Sequence, residues 1–112
     1  MIVQCNDVKD VKVFLIKGHL TAGTCKIFSL ELDKYIDEST RKVILDCSEL
    51  DYIDSTGLGV MVKFYKNVTA NGGNYVLAAL QDKPRLVFEI TRANRVFNIF
   101  KTVDEALKAL DN

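Results

Sequence analysis

Apolar positions along this chain keep two different rhythms, and the rhythm sets the elements. Residues 2–5 and 11–16 are short, apolar and rich in β-branched side chains, with a turn-like run, 6–10, between them. That pattern predicts an antiparallel hairpin, with Gly18 ending the second strand. From 24 to 36 the spacing turns helical: Phe28, Leu32, Tyr35 and Ile36 recur among Glu31, Asp33 and Lys34, with Thr21 or Thr24 as the cap. A polar connection over 37–41 leads to a buried strand over 42–47. Residues 46–54 read as a loop whose Leu50, Tyr52 and Ile53 fold back on the core. After Ser55 a helix carries Leu58, Met61, Val62, Tyr65 and Val68 on one face, and Asn71-Gly72-Gly73-Asn74 stops it.

The next strand is expected over 75–79. A helix over 82–90 follows, with Asp82 as cap, Pro84 in its first turn and Leu86, Val87 and Ile90 turned inward. Residues 96–100 form a short apolar strand or edge segment. Thr102 caps a last helix, where Glu105 completes a capping box and Ala106, Leu107 and Leu110 make the buried stripe. The order is β-β-α-β-α-β-α-β-α. Strand and helix alternate after the hairpin, so the fold class is α/β: a small mixed, mostly parallel sheet flanked by four helices with right-handed crossovers.

Composition narrows the function classes. The chain has 112 residues, 48% of them hydrophobic, which suits one domain over 1–112 with a core that needs no metal or disulfide. Lys plus Arg and Asp plus Glu are equal at 15 each, so the basic excess that direct nucleic-acid binding requires is missing. No apolar run approaches the roughly 20 residues of a membrane span, and the first residues lack a signal-peptide layout. A soluble cytoplasmic protein, monomeric and without a cofactor, is expected. The three cysteines, Cys5, Cys25 and Cys47, are widely spaced and accompanied by a single histidine, which disfavours zinc and fits small buried apolar residues.

Residues 54–59, Asp-Ser-Thr-Gly-Leu-Gly, concentrate the chemistry. They place the hydroxyls of Ser55 and Thr56 where a helix begins, among free N–H groups and the positive end of its dipole. One reading is a capped helix start, with Ser55 accepting backbone N–H bonds and Asp54 complementing the dipole. It leaves Gly57 and Gly59 unexplained, since each costs roughly 1 kcal/mol against alanine in a helix. They imply a bare backbone, required either by close internal packing or by an approaching partner. The second reading is phosphorylation: a dianion on the hydroxyl would spare the fold and break a matched partner surface. A nucleophile elbow fails because position 53 is Ile53, and the only base would be His19. A P-loop fails for want of the Gly-Lys-Ser/Thr that would have to follow.

These residues carry a resemblance. Gly18-His19-Leu20, Val43-Ile44-Leu45-Asp46, Tyr52-Ile53-Asp54-Ser55-Thr56-Gly57-Leu58-Gly59, Asn71-Gly72-Gly73 and Leu86-Val87-Phe88-Glu89-Ile90-Thr91 together resemble a stand-alone STAS domain, the family of bacterial anti-sigma-factor antagonists. The resemblance spans essentially the whole chain. It implies an antagonist that binds an anti-sigma factor which is also a serine kinase, and that is switched off by phosphorylation at Ser55, with Thr56 as the adjacent acceptor. It implies a PP2C-type phosphatase as a further partner, and no enzymatic activity of its own. The partner-binding surface then comprises Asp54, Thr56, Gly57, Leu58, Gly59 and Thr21. Two places depart from the family pattern: Thr21 stands where members commonly carry an acid, and Thr91-Arg92-Ala93 where they often have Thr-Gly-Leu. Those departures admit an alternative, a STAS adaptor module in a scaffold or transporter-associated assembly, able to bind a nucleotide or lipid.

Overall fold

The computed structural model describes residues 1–111. Strands β1 (Ile2–Val8) and β2 (Val11–Leu20) form the hairpin, and α1 (Cys25–Tyr35) leads to β3 (Lys42–Ile53). Then come α2 (Ser55–Ala70), β4 (Asn74–Ala78), α3 (Asp82–Ile90), a 3-10 turn (Ala93–Arg95), β5 (Ile99–Phe100) and α4 (Val103–Leu110). The strands lie side by side in chain order, β1 antiparallel to β2 and all later pairs parallel. The expected order and the mixed, mostly parallel sheet are both present.

Alternation along the central strands divides the core. Val43, Leu45 and Cys47 join Phe14, Ile16, Phe28, Leu32, Met61 and Phe88 on one face of the sheet. Ile44 joins Val76, Ala78, Ala106 and Leu110 on the other, under α4. A strand buried on both faces reads as a continuous apolar run, which is why Val43-Ile44-Leu45 shows no alternation.

Several boundaries differ from expectation, each for a local reason. Gly18 does not end β2. It takes a positive φ of 99° inside the strand, absorbs a register irregularity, and β2 runs on to Leu20. The expected loop over 46–54 is the second half of β3, paired with β2 through Gly18–Leu50, His19–Tyr52 and Leu20–Ile53. The two irregularities break the period of two, so this half of β3 buries Leu50 and Ile53 at a spacing of three and hides its strand character.

Helix α3 covers the expected residues, but its buried side chains are Pro84 and Phe88. Leu86 and Ile90 face solvent, at 57% and 80% exposure, and Val87 is half-buried. Its cap position is Gln81 rather than Asp82, which sits in the first turn. In α1, Phe28 and Leu32 are buried as expected while Tyr35 is exposed. In α4, the Thr102 hydroxyl accepts from the Glu105 N–H at 3.1 Å, but the Glu105 carboxylate reaches the N–H of Lys101 at 3.3 Å, one residue beyond the box. The last strand is only Ile99–Phe100, because residues 93–95 form a 3-10 turn that buries Ala93. Arg92 precedes that turn in the left-handed region, φ 63°. A glycine takes this backbone conformation without strain, so the chain holds with an arginine a bend for which the related pattern has glycine.

Candidate functional site

Three segments meet at the carboxyl end of the parallel strands: the end of β2 with residues 21–24, the end of β3, and the start of α2. Asp54 ties them together. Its N–H donates to the carbonyl of Leu20 at 3.2 Å. One carboxylate oxygen accepts from the Gly57 N–H at 2.8 Å, and the other from the Ala22 N–H at 3.0 Å. Asp54, not Ser55, is therefore the cap of α2. Its carboxyl is held below the usual carboxylate range, first by the Gly57 N–H and then by that of Ala22.

Capping by Asp54 frees Ser55. Ser55 is the first residue of α2, and both it and Thr56 are exposed. Among the described residues no hydrogen bond restrains the Ser55 hydroxyl. His19 does not serve as its base: its Nε2 lies 3.1 Å from an oxygen of Asp51, and its ring meets Tyr52 edge-on at 5.9 Å.

The two glycines separate into different roles. A Cβ on Gly57 would sit 2.2 Å from the carbonyl oxygen of Leu20, so the helix start lies directly on the end of β2. A Cβ on Gly59 would meet nothing within 4 Å. Gly57 answers internal packing, and Gly59 leaves open surface. Leu58 is buried with Gly57, so of the residues expected at a partner surface these two support it from beneath. Ser55, Thr56 and Gly59 are exposed, and Asp54 and Thr21 are half-buried.

The 21–24 loop is locked by its own hydroxyls. Thr24 is the cap position of α1 but makes no side-chain bond to that helix. Its hydroxyl donates instead to the carbonyl of His19 at 2.7 Å and accepts from the N–H of Thr21 at 2.9 Å. The Thr21 hydroxyl accepts from the N–H of Gly23 at 3.3 Å. The loop thus places its Ala22 N–H on Asp54 across 32 residues of sequence, a contact no local pattern announces. Tyr52, expected to fold back on the core, is instead 47% exposed, because β3 turns its ring to the surface; with the His19–Asp51 pair it stands near the helix start at the ends of β2 and β3.

Comparison with known proteins fits this geometry. The family described as the STAS domain matches residues 3–106. The anti-sigma-B factor antagonist of Listeria monocytogenes is 30% identical over 93 residues, covering 83% of this chain and 81% of that protein. The crystal structure of a Thermotoga maritima protein provisionally named as an anti-sigma factor antagonist superposes with a TM-score of 0.89 at 26% identity, over 96% of this chain and 93% of that one. An anti-sigma factor antagonist from Mycobacterium paratuberculosis shares the fold at a TM-score of 0.89 and 20% identity, over 99% of this chain and 94% of that one.

Proposed function

The chain belongs to the STAS domain family, and from that premise we propose that it is an anti-sigma-factor antagonist, a binding protein whose capture of an anti-sigma factor with serine-kinase activity is abolished by phosphorylation at Ser55. The observation that carries this reading is the unrestrained, exposed Ser55 hydroxyl at a helix start whose cap is already filled by Asp54. A phosphate there finds the Gly57 amide taken and an anionic carboxylate beside it. It therefore projects outward, leaving the fold intact, and presents a dianion to any surface matched to a neutral hydroxyl. Thr56 is the neighbouring acceptor, and Gly59 leaves room for the partner's backbone. A PP2C-type phosphatase would reset the switch.

Intact mass of the protein from its own cells tests the modification. A fraction one phosphate heavier is expected, absent in Ser55→Ala. A phosphate that persists in Ser55→Ala moves the site to Thr56. A single unmodified mass in every growth condition overturns the switch and leaves the adaptor reading, which the uncharged Thr21 favours.

A further inference from the structure

The sheet has two very different edges. One ends in β5, only two residues long. The other is β1, seven residues with no proline and no lysine, the features that usually blunt an open edge. We propose that β1 is a self-association edge, pairing antiparallel with β1 of a second copy about a two-fold axis through Cys5.

Register follows from the hairpin. Val8 pairs with Val11 across the two-residue loop Lys9–Asp10, whose Lys9 has a positive φ of 56°. Residues flanking such a turn exchange backbone hydrogen bonds, and the pattern then alternates along the ladder. The even-numbered residues of β1 therefore spend their N–H and C=O groups on β2. Val3, Cys5 and Asp7 turn theirs outward to the open edge. A two-fold antiparallel pair keeps this outward-turned set opposite itself whichever residue of β1 it is centred on. Only Cys5, the midpoint of β1, lets the whole strand overlap.

That single register makes the side chains agree. Ile2, 56% exposed, comes opposite Val8 of the second copy, 39% exposed. Gln4 comes opposite Asn6, amide to amide. Asp7 comes opposite Val3, so no like charges meet.

Helix α1 extends the same edge. Its Asp33 lines a groove with Phe64 and Asn67 of α2, whereas Lys34 and Tyr35 line a hollow with Asp7 and Lys9. The flank of α1 away from α2 therefore overlooks β1. Ile27, 45% exposed, lies towards that flank with Lys34, whereas Leu30, 55% exposed, points away from the core. A second copy satisfies backbone, apolar and amide groups together, because an isologous contact must be self-complementary. The pairing is independent of Ser55, and its test neither uses nor alters that residue.

Sedimentation velocity on the unmodified chain, from about 1 μM to about 100 μM, reads the association directly. Mass should rise with concentration towards twice that of the chain. Gln4→Lys with Asn6→Lys places lysines opposite each other across the axis and should hold the protein monomeric throughout. Gln4→Lys with Asn6→Glu places lysine opposite glutamate and should restore the dimer. Gln4 and Asn6 are both exposed, and matching thermal melts verify that both variants fold. A wild-type chain that sediments as a monomer over the whole range overturns the proposal. So does a dimer that survives the paired lysines, and a lysine–glutamate variant that stays monomeric overturns the register.

Discussion

At the scale of single residues, the two glycines of the motif make opposite demands. Gly57→Ala drives a methyl into the Leu20 carbonyl, backbone that has no room to move, so it should cost about 2 kcal/mol or more in urea unfolding. Gly59→Ala meets open space and removes a helix-weakening glycine, so it should stabilise by about 1 kcal/mol. If partner binding uses that bare surface, Gly59→Ala should weaken binding while strengthening the fold.

Cys47 gives a second residue-scale expectation. Burial, with a smaller contribution from the Asp46 carboxylate, pushes its thiol up to about 12. Iodoacetamide in mildly alkaline buffer should label the half-buried Cys5 and Cys25 in the native protein, and Cys47 only once urea unfolds it. The sign of the linkage follows. The folded state keeps this proton above the unfolded thiol value of about 8.5, so the stability it adds is complete below that pH. It is lost as pH rises towards about 12.

At the scale of elements, β3 is the most instructive case. Leu50→Ala should cost about 3 kcal/mol, because the side chain is fully buried in the core. Tyr52→Ala should change stability by no more than about 0.5 kcal/mol, since its ring lies on the surface. Equal effects on thermal melts would mean that 46–54 behaves as the loop its sequence suggests.

The apolar rhythm located each helix and strand because those signals are local. It failed where registry shifts break the period, at Gly18 and in the second half of β3. In α3 it chose the wrong face, since Leu86, Val87 and Ile90 also fit a helical spacing; Phe88 decides the orientation by packing against Phe97. The motif itself was legible, as was the need for a bare backbone near it. The cap was not. Serine and aspartate both cap helices well, and only the fold shows Asp54 holding both Gly57 and the distant Ala22 amide.

At the scale of the whole molecule, a parallel sheet gathers the ends of β2 and β3 and the starts of the following elements on one side, where open α/β sheets place their functional groups. Ser55 stands there on a rigid platform: α2 is capped by Asp54, pressed onto β2 through Gly57, and braced by the hydroxyl-locked loop 21–24. A modification on such a platform alters what the surface binds and leaves the scaffold unchanged. The β1 edge offers a separate surface, through which two such platforms could be carried on one continuous sheet.

In the proposed switch, Ser55 controls binding without controlling folding. Calorimetric titration of the cognate anti-sigma factor with the unmodified chain and with the chain phosphorylated at Ser55 tests it most directly. The phosphorylated chain should keep its melting temperature and bind at least about 100-fold more weakly, a loss of about 2.7 kcal/mol. Equal affinity for the two forms would contradict it.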